Sequence, residues 1–291
     1  MKRIIEASEL VLNSDGSVYH LHLHPENISD NIIIVGDQDR VKEVSKHFDR
    51  IEFKANRREF VTHTGYIGNK RFTVLSTGIG TDNIDIVFNE LDALVNIDLK
   101  TREVKDELIS LNIVRVGTSG SLQKDIPINS IVLSSHGLGL DGLLNFYKYE
   151  QDEQEQAILD IINEKVALPI EAKLAAGSDT LIKLFSAKDV RSGITLTSTG
   201  FYGPQGRMLR LQPKVTNFID ELARLDLNGH RISNLEMETS GIYGLGKLLG
   251  HECISVNAIL ANRQNKTFSA EPYKIVEKAI KMTLENLLTI S

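Results

Sequence analysis

The run SNLEMETSGIYGLG, residues 233–246, sets Glu236 and Glu238 around Met237 in a stretch otherwise made mostly of apolar and small residues. In a helix, residues two apart point about 200° from each other and share no site. At a strand end turning into a helix, both side chains face the same way. The spacing therefore predicts a strand end whose two carboxylates look into one common space. Arg115, in RVGTSG (115–120), interrupts a run that otherwise reads as a buried strand. A buried guanidinium needs a counter-charge, because desolvating it alone is costly. That partner is either an internal Asp or Glu, or a bound phosphate. Thr118, just past the strand end, suits the phosphate reading, since hydroxyls and arginine forks both donate to phosphate oxygens.

Other segments carry weaker signals. VGDQDR places Gly36 after a buried strand, Asp37 and Asp39 near a helix start, and Arg40 in its first turn. An Asp there caps a helix, and an Arg there can simply be solvated. The chemical alternative is a backbone N–H at Gly36 approaching an anion that Arg40 neutralises. STGIGTD (76–82) is a strand–glycine–helix turn of a kind common without any ligand. GFYGPQGRMLR (200–210) is either an exposed loop or a reader of a planar heterocycle. In the second case Gln205 and Arg207 offer donors and one acceptor, and Phe201 or Tyr202 stacks. His20, His22 and His24 alternate and on a strand would share a face, as in an H-x-H metal pair. The remaining histidines show no matching strand-end pattern, so no metal site is expected.

The elements that must position these residues follow from hydrophobic periodicity. Buried strands are expected at 31–37, 71–80, 111–120, 129–138, 193–203 and 251–260. Helices are expected after the first two and along the tail PYKIVEKAIKMTLENLLTI. The alternation predicts an α/β fold, a sheet with helices on both faces, with ligands at the strand C-terminal ends. No repeat or linker breaks the 291 residues, so one domain spanning 1–291 is expected. A net charge of −6 argues against a nucleic-acid or anionic-membrane surface while leaving room for a small anion. The single Cys253 lies among apolar neighbours and reads as a buried structural thiol in a reducing, cytoplasmic setting. No run is long enough to span a bilayer.

Together VYHLHL, VGDQDR, RREF, STGIG…EL, RVGTSG, FYGPQGR, LEMETS and ANR resemble, in order, the nucleoside phosphorylases of the hexameric type, and among them the uridine phosphorylases. The resemblance implies a central mixed, partly barrel-like β-sheet flanked by helices. It implies reversible phosphorolysis of uridine to uracil and ribose 1-phosphate, with inorganic phosphate as co-substrate and no cofactor. Gly36, Arg40, Arg115 and Thr118 would hold phosphate, with Arg58 from a neighbouring subunit. Met237 and Glu238 would contact ribose beside Glu236, and His20 of a neighbour would meet the 5′-hydroxyl. Gln205 and Arg207 would read the uracil edge, Phe201 would pack on it, and Ser119 and Gly120 would line the base pocket. Arg115, Gln205, Arg207 and Glu238 would carry the catalysis. The partners implied are uridine, phosphate and further copies of the chain, at least a dimer with shared sites.

The chain departs from the family pattern in places. TDNID follows GIG where Pro or Ala and then Ser is usual, and Asn83 replaces a Ser that completes a monovalent-cation site in some members. GPQGR differs from the commoner PGQxR but keeps the Gln–Arg spacing. NIDLKTREVKDELIS is longer and more charged than the usual link, which bears on hexamer versus dimer. A purine nucleoside phosphorylase, a hydrolytic nucleosidase and a non-catalytic nucleoside-binding protein are the alternatives. The purine enzymes place an Asp where ILANRQ offers Asn262 and Arg263.

Overall fold

Branched apolar residues that alternate with glycine-bearing turns and amphipathic runs produce strands and helices in close succession. The structure, a computed structural model, describes residues 3–290. The chain forms two compact units, Met1–Ile113 with Leu249–His251, and Val114–Leu248 with Glu252–Ser291.

In the first unit β1 (Asn31–Val35) leads through Gly36 into α1 (Gln38–Ser45), followed by β2 (Arg50–Arg57), β3 (Phe60–Ile67) and β4 (Lys70–Ser76). β1 pairs in parallel with β4, which pairs antiparallel with β3, which pairs antiparallel with β2. β1 is buried along Ile32–Val35, so it reads as a continuous apolar run rather than an alternating one. α1 packs on β3 and β4. Asp37 caps it, accepting from the Asp39 N–H at 3.0 Å, so the capping reading of this aspartate holds. Gly78 and Gly80, at φ +74° and +99°, turn the chain from β4 into α2 (Thr81–Asn96). A short hairpin, β5 (Ile97–Asp98) and β6 (Glu103–Val104), completes the unit's paired elements.

The second unit is built on β7 (Asn112–Ser121), which enters it at Val114, and on β8 (Ile131–Leu140). Then follow α3 (Glu153–Lys165), β9 (Lys173–Ala176), α4 (Asp179–Phe185), β10 (Arg191–Ser198), α5 (Phe218–Arg224) and β11 (Ile232–Glu236). α6 (Thr239–Leu249), β12 (Glu252–Asn262), β13 (Thr267–Phe268) and α7 (Pro272–Leu288) end the chain. β7 runs antiparallel to β11, β11 parallel to β10, β10 parallel to β8, and β8 antiparallel to β12. β12 in turn pairs with β7, which closes these five strands into a ring. The sheet is thus mixed and partly barrel-like, with helices packed outside it.

Side chains alternate between the two faces of the ring along β10, and a register shift that leaves Ser233 as an extra residue on β11 keeps Asn234, Leu235 and Glu236 in step with Thr195, Leu196 and Thr197. Ile194, Leu196, Ile232 and Leu235 join a core with α3 and α5. Thr195, Thr197, Asn234 and Glu236 are buried on the opposite, inner face. Apolar packing therefore holds the ring from outside, and polar chemistry occupies its interior.

Two sequence expectations are corrected. His20, His22 and His24 lie on no strand: Tyr19–Leu21 form a turn, and His22 has φ +55°. The strand expected over 193–203 stops at Ser198, because TGFYGP breaks away into a loop with a 3₁₀ turn at Gly203–Gln205. Cys253 is buried, and burial pushes its thiol well above the usual range, which makes it inert. Among the described residues no helix is long and apolar enough to cross a membrane.

His136 on β8 sits edge-on to His230, with ring centroids 5.2 Å apart. Burial, reinforced by the facing His230, pushes His136 down to about 4. An unfolded histidine takes its proton near pH 6.5. Between these values the unfolded chain binds more protons, so stability is complete above about pH 6.5 and falls as pH drops toward 4. Urea unfolding at pH 7 and pH 4.5 should show His136→Gln losing on the order of 2–3 kcal/mol less than wild type over that interval. Equal losses would mean that His136 stays accessible to protons in the fold.

Candidate active site

Arg115 projects from β7 among groups carried by two other strands of the ring. It is 6 % exposed. Its Nη2 donates to Glu238 Oε2 at 2.5 Å and lies 3.2 Å from Glu236 Oε2. Its Nη1 donates to Asn257 Oδ1 at 3.0 Å. The two carboxylates flanking Met237 therefore do share one space, as the strand-end reading requires, and the guanidinium fills it. Burial works against the charge of Arg115, but Glu236 and Glu238 outweigh it and hold its proton more firmly than usual. A Cβ on Gly117 would lie 1.8 Å from Arg115 Nη1, so the guanidinium rests where that glycine has no side chain.

Glu236 and Glu238 have different surroundings. Glu236 accepts from Thr197 Oγ1 at 2.7 Å, from the Glu238 N–H at 2.9 Å, and from the Thr239 N–H on both oxygens. It thereby satisfies N–H groups at the start of α6. Burial pushes its carboxyl up, and Arg115 pulls it back without cancelling the effect. Glu236 is thus an internal anchor, engaged on both oxygens by the chain itself. Glu238, two residues on, reaches Arg115 from beyond the strand end.

A second group forms on the loop after β10. Gln205 is buried, although it lies in a run that also reads as exposed loop. Arg207 Nη1 donates to Gln205 Oε1 and, at 2.6 Å, to the Phe201 carbonyl. The Arg207 guanidinium lies 3.8 Å from the Phe201 ring centroid. Arg263, just past the end of β12, donates to the Gln205 carbonyl. Burial, and then the charge of Arg263, lower the proton affinity of Arg207. Two guanidinium groups close enough to disfavour one another leave a surplus of positive charge beside one amide. Such a loop suits a planar partner that gains negative charge. Ser119, on β7, accepts from Asn234 Nδ2 at 2.9 Å, and Gly120 pairs with Leu235 in the ladder to β11. Thr118 is half-buried between them and Gly117.

The first unit carries the other residues named from the sequence. Gly36 follows β1, and a Cβ there would come 3.4 Å from the Gly78 carbonyl. Arg40 stands in the first turn of α1. Arg58 occupies the tip of the β2–β3 hairpin at φ +55°, exposed, with its carbonyl accepting from Gln38 Nε2 at 2.7 Å. His20 Nδ1 lies 2.7 Å from Glu90 Oε1, and Glu90 also accepts from the backbone N–H groups of His20 and Leu21. A carboxylate facing Nδ1 places a proton on that nitrogen and leaves Nε2 turned away from Glu90.

Three residues not named from the sequence, Glu90, Gly117 and Asn257, lie against ones that were, and Arg263, named there only for its place in ILANRQ, holds the Gln205 carbonyl. For Asn257 a signal was available. A polar residue in the middle of ISVNAIL interrupts a buried strand just as Arg115 does.

This arrangement puts an arginine–carboxylate cluster and a glutamine–arginine loop on one ring of strands, a construction for small polar substrates. A profile of the phosphorylase superfamily matches residues 30–290. The chain belongs to that superfamily, as a member of the nucleoside phosphorylase family. It is 27 % identical over 288 residues to a uridine phosphorylase of Thermococcus kodakarensis, covering 96 % of this chain and 91 % of that one. It is also 25 % identical over 276 residues to a DeoD-type purine nucleoside phosphorylase of Buchnera aphidicola, covering 94 % and 100 % of the two chains. Among solved structures, the nucleoside phosphorylase of Trypanosoma brucei, described as showing uridine phosphorylase activity, superposes with a TM-score of 0.89. That match has 28 % identity and covers 97 % of this chain and 100 % of that one.

The unequal surroundings of the carboxylates predict unequal roles in stability. Glu236→Gln removes the charge that serves the α6 N-terminus and should destabilise the protein by about 1–2 kcal/mol more than Glu238→Gln. Urea unfolding of the two variants measures the difference. Equal losses, or a larger one for Glu238→Gln, would contradict the division.

Proposed function

We propose that the protein catalyses the reversible phosphorolysis of uridine, giving uracil and ribose 1-phosphate. The observation that carries this reading is the buried contact between Arg115 and Glu238. It joins a donor suited to an anion with an acceptor suited to a diol, 2.5 Å apart. Arg115 and Thr118 serve phosphate in the second unit. The sequence resemblance also names Gly36, Arg40 and Arg58 for phosphate, and these are carried by the first unit. Glu236 fixes the strand end, so the ribose hydroxyls fall to Met237 and Glu238.

The glycosidic bond stretches first, leaving positive charge on the sugar and negative charge on the base. Phosphate attacks the sugar carbon and its charge steadies the cation. Gln205 and Arg207 stabilise the departing uracil anion, with Arg263 adding positive charge behind them. Inorganic phosphate is the only co-substrate in this scheme, and no side-chain nucleophile or cofactor takes part. His20 and Arg58 are read as reaching a neighbouring copy's site, which makes the working unit at least a homodimer. A monomeric native mass would overturn that part of the reading.

The purine relative makes base choice the issue. Asn262 supports uracil over a purine, because its side chain is already committed. Nδ2 donates to the Gln123 and Ile126 carbonyls, both at 2.8 Å, and Oδ1 accepts from the Asn265 N–H at 2.7 Å. An amide so held has no proton to deliver to a purine ring. Gln205 Oε1 has two lone pairs, one for Arg207 and one for the uracil ring N–H. Cytosine lacks that N–H and would leave buried groups unpaired, which discriminates by about 10⁴-fold or more in sites of this kind.

An absorbance assay of nucleoside cleavage, with and without phosphate, tests the reading. Uridine should be split only with phosphate present, and inosine and cytidine far more slowly. Arg207→Ala should lower kcat by about one to two decades with a smaller change in KM, because the base gains its charge only as it leaves. Phosphate-independent release of ribose, or equal rates on inosine, would refute it.

A further inference from the structure

The buried polar residues inside the ring form one hydrogen-bonded circuit that passes through all five of its strands. Arg115 Nη1 on β7 donates to Asn257 Oδ1 on β12 at 3.0 Å. Asn257 Nδ2 donates to Ser134 Oγ on β8 at 2.9 Å. Ser134 and Thr195 hydroxyls, on β8 and β10, meet at 2.6 Å. Thr195 Oγ1 donates to Asn234 Oδ1 on β11 at 2.9 Å, and Asn234 Nδ2 donates to Ser119 Oγ at 2.9 Å, which returns the path to β7. Since Thr195 gives its proton to Asn234, Ser134 must give its own to Thr195. Every link then donates in the same sense, from Arg115 around to Ser119, and such chains strengthen each member. The five residues from Asn257 to Ser119 are all buried.

We propose that Asn257 is a positioning residue for phosphate use: it fixes the plane of the Arg115 guanidinium through Nη1 without neutralising its charge. The inference rests on the proposed role of Arg115 in binding phosphate. Both carboxylates grip the same nitrogen, Nη2, and contacts at one atom leave a planar group able to swing about it. Asn257 supplies the contact at the other nitrogen. Nη1 itself lies against Gly117, where the missing Cβ leaves the guanidinium its room. The amide is the right group for the task. A third carboxylate beside one guanidinium would repel the incoming phosphate, and an apolar residue would leave Nη1 without its partner. Ser134, on Nδ2, keeps the amide oxygen turned to Arg115.

The test measures KM for phosphate and for uridine, together with thermal stability, in wild type, Asn257→Ala, Asn257→Asp and Ser134→Ala. Asn257→Ala should raise the phosphate KM about tenfold or more, with the uridine KM within about twofold of wild type. Asn257→Asp should raise the phosphate KM further, because its added charge opposes the anion. Ser134→Ala should shift it in the same direction by less. A soluble Asn257→Ala protein with an unchanged phosphate KM, or with both KM values rising together, overturns the inference. So does a lowered melting temperature without any split between them. If Asn257→Ala does not fold, Ser134→Ala decides: a selective rise in phosphate KM supports the role, and no such rise removes it. Wild-type protein that splits uridine equally well without phosphate would instead refute the underlying reading, and this inference with it.

Discussion

A positive charge buried inside a ring of strands is the constraint on which the rest of this site depends. Arg115 cannot stay charged in that interior without compensation, since the cost of desolvating a guanidinium far exceeds that of burying an apolar side chain. The chain answers with two carboxylates at the end of β11, close enough to share one nitrogen. Those carboxylates in turn dictate what surrounds them. Glu236 needs donors, and the first N–H groups around α6 supply them, so the helix start and the charge cluster stabilise each other. The same demand for donors and acceptors extends around the ring, where serine, threonine and asparagine replace the aliphatic residues that would otherwise fill a small barrel.

The loop after β10 follows the opposite logic. There the arginines are only partly buried: Asp220 offsets part of the charge on Arg263, while Arg207 donates to neutral oxygens and keeps its charge for a ligand. Gln205 is held by both of them, through its side-chain oxygen to Arg207 and its carbonyl to Arg263. One part of the second unit thus neutralises an arginine and another part concentrates arginines. A reaction that handles an anion at the sugar and creates one at the base needs both kinds of site.

Much of this was legible in the sequence because burial leaves a pattern. Strands read as apolar runs, and Arg115 and Glu236 stood out by breaking them. The carboxylate pair was readable as a strand end, since i, i+2 neighbours share a face only in extended backbone. What was not legible depends on contacts between distant segments. The attachment of His20 to Glu90 joins a turn to the middle of α2. The role of Gly117 follows from where Arg115 folds, and the sequence alone gives no reason to prefer that rotamer. The alternating histidines misled because alternation marks a strand only if the backbone is extended, and here a positive φ at His22 breaks the path. The end of β10 was read too long because TSTGFYG continues the small and aromatic character of a strand past the point where its ladder stops.

The central claim is that the buried guanidinium of Arg115 is an anion anchor as well as a structural counter-ion to its carboxylates. Calorimetric titration of inorganic phosphate into the wild-type protein and into Arg115→Gln, with native secondary structure checked in both, addresses it directly. The account predicts saturable phosphate binding by wild type and its loss, or a weakening of about tenfold or more, in Arg115→Gln. Equal phosphate affinity in the two proteins would show that Arg115 serves only to balance Glu236 and Glu238.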